Sequence, residues 1–146
     1  MFGRHYNIRV CFLVIVIGLT TAYGQDCEIK IESPQLHDSV NGRATITAKV
    51  TTPVQSSLWV LTRMKGRANW ELQGTGPFKI RAGRLNAPVR YGGESDSGRP
   101  FQLLVIALGL KESSALQNWT KTQVAINESL LSTSLCQQQI EVVRYR

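Results

Sequence analysis

Few residues in this 146-residue sequence have the types and spacing that catalysis or metal binding requires. His37 and Asp38 share a turn-like stretch, but no second histidine follows anywhere downstream. Glu94 and Asp96, in GGESDSG, could offer oxygen ligands to Ca²⁺, although two acids alone make a weak donor set. The spacing of Asp38 and Glu94 gives no support for a paired-carboxylate hydrolase, and no nucleophile, zinc or phosphate-loop motif is present. The sequence therefore predicts no catalytic residue, no metal site and no cofactor.

Binding is the better-supported chemistry, because basic residues cluster in the middle of the chain. They could attract an anionic surface, glycan or protein, and a solvated basic face is the simpler alternative. No aromatic residues interleave with these charges, so we expect no specific nucleic-acid binding. The loop-like segment 83–100 is the first place to look, since loops on a rigid scaffold commonly carry recognition; a mobile connector is the alternative. The candidate binding residues are Arg81, Arg84, Arg90, Tyr91 and Arg99.

The first 24 residues have the pattern of a secretory signal peptide. Arg4 and Arg9 precede an unbroken apolar run at residues 10–19, and small residues follow up to Gly24. The run is half the roughly 20 residues that a membrane-spanning helix needs. We predict cleavage after Gly24, with an uncleaved signal anchor as the alternative. The product, residues 25–146, is of single-domain size and is expected to be secreted, periplasmic or at the cell surface.

Cleavage would leave two cysteines, Cys27 and Cys136. An even pair in an oxidising compartment usually forms a disulfide. Free thiols and a metal site are the alternatives, and a metal site would need more histidine than the domain contains. Each cysteine directly precedes a strand-like run, so a bond would hold two strand starts together. We expect those strands to run parallel as neighbours at the edge of the domain.

Short runs separated by turn residues predict an all-β fold of seven to eight strands. RATITAKVT alternates apolar and polar residues, as a half-buried strand does. FQLLVIALGL is apolar throughout, so we expect it to be central and covered on both faces. KESSALQNW could form one or two helical turns, although its serines and asparagine give it little helix propensity.

The segments IESPQLHDSVNGRATITAKV, LWVLTR and GGESDSGRPFQLLVIAL resemble the bacterial Ig-like modules of exported proteins. The resemblance covers roughly residues 28–108, and Trp59 resembles the strand-C tryptophan of Ig sandwiches. It implies a Greek-key β-sandwich with an expected role in binding, adhesion or spacing, and it names no ligand. The inter-sheet cysteines of antibody domains are absent, so a bond between Cys27 and Cys136 would be particular to this protein.

These observations predict a non-enzymatic, exported Ig-like binding module. A small exported enzyme with an unrecognised site and an inhibitor of an acidic partner are the alternatives. Trp70, Tyr91 and Trp119 could form a contact surface, whereas Trp59 is expected in the core. The triplets that begin at Asn118 and Asn127 match the glycosylation pattern, which matters only in a eukaryotic secretory route.

Overall fold

The computed structural model describes residues 26–122, 126 and 128–145, so the predicted signal peptide lies outside the described residues. Within them the chain is mostly β-structure, which confirms the all-β prediction at this level. A short 3-10 turn spans Glu94–Asp96. The elements in chain order are β1 (Glu28–Ser33), β2 (Ser39–Val40), β3 (Arg43–Thr51), β4 (Ser56–Met64), β5 (Glu71–Leu72), β6 (Arg84–Arg90), β7 (Pro100–Gly109), α1 (Leu110–Thr122), α2 (Glu128–Leu131) and β8 (Cys136–Arg144).

The strands form two sheets. The three-stranded sheet has the order β1-β3-β6, and both of its pairs are antiparallel. The five-stranded sheet has the order β2-β8-β7-β4-β5, in which only β2 and β8 run parallel. A core of aliphatic side chains lies between the sheets, and Ile46, Leu58, Leu85 and Val105 in it are fully or almost fully buried.

Residue alternation decides how the three-stranded sheet is buried. In β6, Leu85, Ala87 and Val89 are buried, while the residues between them are exposed. β3 shows the same period of two, with Ile46 and Ala48 buried. Because successive side chains of a strand point to opposite faces, this sheet has one apolar inner face and one polar outer face.

β7 is buried on both faces, as its uninterrupted apolar sequence predicts. Leu103 and Val105 belong to the core between the sheets. Leu104, Ile106 and Leu108 point the other way, into a second cluster of buried residues that also contains Leu116 of α1. The five-stranded sheet is therefore a middle layer, with the other sheet on one side and α1 on the other.

The helix α1 is longer than the one or two turns predicted for it. It spans 13 residues although Ser113 and Ser114 are weak helix formers. The fully buried Leu116 anchors it on the five-stranded sheet, and the Ser113 hydroxyl accepts a hydrogen bond of 3.0 Å from Trp59 Nε1. Most helical stability in proteins comes from such tertiary packing, which the local sequence does not report.

The disulfide between Cys27 and Cys136 is formed, with 5.6 Å between the Cα atoms. It joins the two sheets, because β1 pairs with β3 and β8 pairs with β7. The expectation that the first strand lies beside the last as its parallel neighbour is therefore wrong for β1. The chain leaves the three-stranded sheet after Ser33 and pairs with β8 only at β2, where the ladder is parallel.

Candidate binding surface

Arg84 and Arg90 occupy the two ends of β6, and both side chains lie on the polar outer face of the three-stranded sheet. At about 3.3 Å per residue, the strand separates them by roughly 20 Å. Arg84 Nη1 lies 3.4 Å from Glu32 Oε2 of β1. Arg90 Nε donates a hydrogen bond of 3.2 Å to the Gly92 carbonyl. The two predicted residues thus share a face but not a site.

Arg81 lies next to Arg84, across the turn that starts β6. The two residues exchange backbone hydrogen bonds of 2.9 and 3.0 Å. Ala82 and Gly83 between them have positive φ angles, as a tight hairpin turn of the primed type requires. Arg99 is exposed and lies beyond the other end of β6, where its carbonyl accepts a hydrogen bond from the Arg144 amide. The predicted arginines therefore fall into two groups at opposite ends of the sheet.

Tyr91 does not contribute to a surface, because its side chain is completely buried in the core between the sheets. The ring packs edge-on against Phe101, with 5.9 Å between the ring centroids. The phenol oxygen has no hydrogen-bond partner among the residues that the structure describes, and burial raises the pKa of Tyr91 well above its ordinary value. The alternation along β6 could have indicated this, because Arg90 faces outward and the next side chain therefore points inward.

Arg43 is the main residue that the sequence reasoning missed. It starts β3 and lies directly opposite Arg90 in the β3–β6 ladder, so two exposed arginines stand side by side. A groove of about 400 Å³ runs along this end of the ladder, between Arg43, Thr45, Pro88 and Arg90. In the sequence Arg43 and Thr45 lie more than 40 positions before Pro88 and Arg90, and only the strand register brings the two pairs together.

We call the outward-facing residues of the three-stranded sheet the open face. Five of them are basic and two are acidic, so the face is positively charged overall. Between the charges lie threonines, an asparagine and a proline, which make a flat polar surface. Its members are Glu28, Lys30, Glu32, Arg43, Thr45, Thr47, Lys49, Thr51, Arg84, Asn86, Pro88 and Arg90.

The outer face of the five-stranded sheet is covered instead. Trp59 is fully buried there, which confirms its expected core position, and Trp70 is 5% exposed. Trp119 packs against the same cluster and is partly buried. The guanidinium of Arg63 lies 4.3 Å from the centre of the Trp70 ring and 2.8 Å from Glu128 of α2. Trp70 and Trp119 therefore help to fix the helical segment on the sheet.

The acids and the histidine singled out in the sequence have ordinary structural surroundings. Asp38 accepts a hydrogen bond of 2.7 Å from the Gln35 amide, and Asp96 accepts one of 2.8 Å from the Gly93 amide. His37 is exposed, and its amide donates to the Glu141 carbonyl at 2.6 Å. In residues 26–122, 126 and 128–145, no three His, Cys, Asp or Glu side chains group as metal ligands would. None of the helices in that part of the chain has the length and apolar character needed to cross a bilayer.

Comparison of the sequence with models of known protein families and with curated proteins finds no match.

Proposed function

We propose that this protein is an exported Ig-like binding module whose open face engages an acidic partner. The observation that carries the proposal is the charge of that face: five basic residues against two acidic ones, on a sheet surface that none of the described helices or strands covers. Attraction between such a face and an anionic partner raises the association rate and falls with ionic strength.

The order of the strands supports an Ig-like Greek-key sandwich. In Ig domains, the first, second and fifth strands share one sheet, while the third, sixth and seventh form the other. Here β1, β3 and β6 correspond to the first set, and β4, β7 and β8 to the second. The short β2 would be the part of the first strand that crosses to the opposite sheet, and β5 an added edge strand.

Export is supported by two independent features. The N-terminal pattern predicts a cleaved signal peptide. The disulfide between Cys27 and Cys136 is of the kind that persists in oxidising compartments and is rare where thiols are kept reduced. A secreted, periplasmic or surface location fits both.

The distribution of ion pairs shows which end of the open face keeps the most uncompensated positive charge. Lys49 and Arg84 both approach Glu32, at 3.5 and 3.4 Å, which partly offsets the positive charge at that end. Arg43 and Arg90 form no ion pair within the described part of the chain. The end of the face that holds Arg43 and Arg90 is therefore proposed as the main contact for the partner.

The test is binding to dextran sulfate, with neutral dextran as the comparison polymer. We expect wild-type binding to weaken with added salt, and the double variant Arg43→Glu/Arg90→Glu to lose at least about tenfold in affinity, since like charges across an interface cost several kcal/mol. Arg81→Glu/Arg84→Glu, at the other end, should lose less.

The matched control is Arg67→Glu/Lys111→Glu, which makes the same change in net charge on two exposed residues away from the open face. It should bind almost as the wild type does. Equal losses in all three double variants would mean that net charge alone is responsible, and binding indifferent to ionic strength would reject the proposal.

A further inference from the structure

Arg144, the last residue of β8, is a buried cation with no ion-pair partner among the described residues. The residue is 8% exposed, and neither Nε nor Nη1 has a hydrogen-bond acceptor in that part of the chain. The backbone at this position is well fixed: the Arg144 amide donates to the Arg99 carbonyl at 3.0 Å, and its carbonyl accepts from the Gly98 amide at 2.9 Å. The residue also pairs with Val40 in the parallel ladder between β2 and β8.

The Arg144 side chain lines a cavity of about 270 Å³ at the end of the sandwich. Arg43 and Arg90, the paired arginines of the open face, line the same cavity. Glu94 is the one acid on its wall. Three arginines and one glutamate therefore line the cavity, and it adjoins the part of the open face proposed as the main contact.

A guanidinium stays charged at any physiological pH and carries five N–H donors. Removing such a group from water is unfavourable unless an anion and hydrogen-bond acceptors replace the lost hydration. The acid next to Glu94 in the fold, Asp96, already accepts the Gly93 amide, so it is engaged. Arg144 therefore lies beside a cavity and has two enclosed nitrogens that donate to no acceptor among the described residues, which points to an anion from outside the chain.

Gly42 leaves the room that the Arg144 guanidinium occupies. A Cβ atom at position 42 would lie 2.8 Å from Arg144 Nη2, closer than such contacts allow. Any side chain there would displace the tip of the arginine. The glycine therefore lets the guanidinium occupy this position beside the backbone.

We propose that the cavity binds an oxyanion group, a carboxylate, sulfate or phosphate, with Arg144 as its inner ligand and with Arg43 and Arg90 at the mouth. Guanidinium groups match the oxygen geometry of all three anions. The inference rests on the proposed function, because the oxyanion is assigned to the acidic partner of the open face. It adds the chemical group that the partner presents and the residue that holds it.

The test follows the Arg144 Nε–H resonance by NMR, identified by its loss in Arg144→Lys. Sodium acetate, sulfate and phosphate are titrated separately into the purified protein, each against sodium chloride at equal ionic strength. We expect a saturable shift of this resonance with at least one oxyanion and none with chloride. The anion that saturates at the lowest concentration identifies the class, carboxylate or tetrahedral oxyanion. A non-saturating response equal to that of chloride overturns the proposal.

Two variants distinguish loss of the oxyanion site from loss of the folded structure. Gly42→Ala retains all the charges but displaces the guanidinium, so it should weaken oxyanion binding about tenfold or more while the protein stays folded. Arg67→Lys, a matched change at an exposed arginine, should leave the oxyanion affinity unaltered. Equal affinity in wild type and Gly42→Ala would exclude Arg144 as the ligand.

The variant Glu94→Gln distinguishes whether Arg144 binds an anion from outside the chain or pairs with Glu94 itself. If the oxyanion comes from outside, removing the negative charge on the wall should tighten its binding. If Glu94 is itself the partner of Arg144, the variant would shift the Arg144 resonance without added anion, and the wild type would not respond to any oxyanion. That result would overturn the proposal.

The outcome is also distinguishable from a failure of the proposed function. If dextran sulfate binds through Arg43 and Arg90 while the Arg144 resonance responds to no oxyanion, only the oxyanion site is rejected. A saturable Arg144 response without polymer binding would reject the role of the open face and leave the oxyanion site standing.

Discussion

The two sheets share an apolar inner face, yet their outer faces differ in composition and covering. The five-stranded sheet is apolar on its outer side, where Trp59, Leu104 and Ile106 lie under α1. The three-stranded sheet carries threonines and charged residues on its outer side, and none of the described helices or strands covers them. One sheet is thus a buried middle layer, and the other is a thin layer between core and solvent.

The difference means that the two sheets are stabilised to different extents. A sheet buried on both faces gains hydrophobic stabilisation from each, at roughly 25 cal/mol per Å² of apolar surface. A sheet buried on one face gains less, and its outer side chains stay exposed to solvent. The three-stranded sheet therefore depends more on its connections to the rest of the molecule, two of which can be removed by mutation.

The largest expected effect is the loss of the disulfide at the β1 edge. It closes a loop with a sequence separation of 109, so Cys27→Ser with Cys136→Ser should lower the free energy of unfolding by about 4 kcal/mol. Because the bond ties β1 to the start of β8, amide hydrogen exchange should increase most in β1 and least in β4 and β7. An equal increase in amide exchange across both sheets would contradict the view that the three-stranded sheet depends more on this connection.

A slightly smaller effect is expected where α1 covers the five-stranded sheet. Leu116→Ala creates a cavity at a fully buried site and should cost about 3 kcal/mol in urea unfolding. The matched change on the open face, Asn86→Ala at an exposed position, should stay within about 0.5 kcal/mol. Comparable losses of unfolding free energy from the two substitutions would mean that the outer faces of the two sheets contribute equally to stability.

The second connection between the sheets is a buried amide. Gln73 Nε2 donates to Thr62 Oγ1 of β4 at 2.7 Å, and Gln73 Oε1 accepts from the Arg90 amide of β6 at 2.8 Å. Gln73→Leu leaves both partners without these bonds and should destabilise by about 2 kcal/mol in thermal or urea unfolding. Gln139→Leu, at an exposed position of β8, is the control and should change little.

The smallest effect concerns Tyr91, whose phenol lies in the core behind the open face and has no hydrogen-bond partner within the described part of the chain. Tyr91→Phe removes a buried polar group that makes no hydrogen bond to the described residues. The free energy of unfolding at pH 7 should therefore rise slightly, by no more than about 1 kcal/mol. Burial raises the pKa of Tyr91 in the folded state. As the pH rises above about 10, the unfolded chain therefore loses this proton first, and wild-type stability should fall.

Urea unfolding at several pH values between 8 and roughly 11 measures that difference. The wild type should lose stability relative to Tyr91→Phe only above about pH 10. Parallel stability curves for the two proteins would show that Tyr91 ionises as readily in the folded state as in the unfolded chain.

Much of the fold follows from residue patterns. The alternation in RATITAKVT gave β3 and its buried face, and the unbroken run in FQLLVIALGL gave a strand covered on both sides. The pairing of Cys27 with Cys136 followed from the cysteine count. The segments WELQ and PFKIRA form only the two-residue β5 and isolated bridges at Trp70, Phe78 and Arg81, and Gly74 and Gly76 lie between the two segments.

The candidate site followed from the sequence only in part. Arg84 and Arg90 were expected from local charge and lie on the open face, whereas Tyr91 lies in the core. Arg43 was missed because only the ladder between β3 and β6 sets it opposite Arg90. Arg144 was missed because, in the sequence, it looks like one more basic residue near the end of a strand.

The sequence by itself determined which strands are apolar on one face or on both, because side-chain alternation is a local property of an extended chain. It also determined that β7 needs two apolar neighbours. Only the tertiary structure decided that α1 supplies one of them, that β1 and β2 divide between the sheets, and that Arg144 is buried beside Gly42. These outcomes depend on contacts between residues far apart in the chain, whose free energies no local pattern contains.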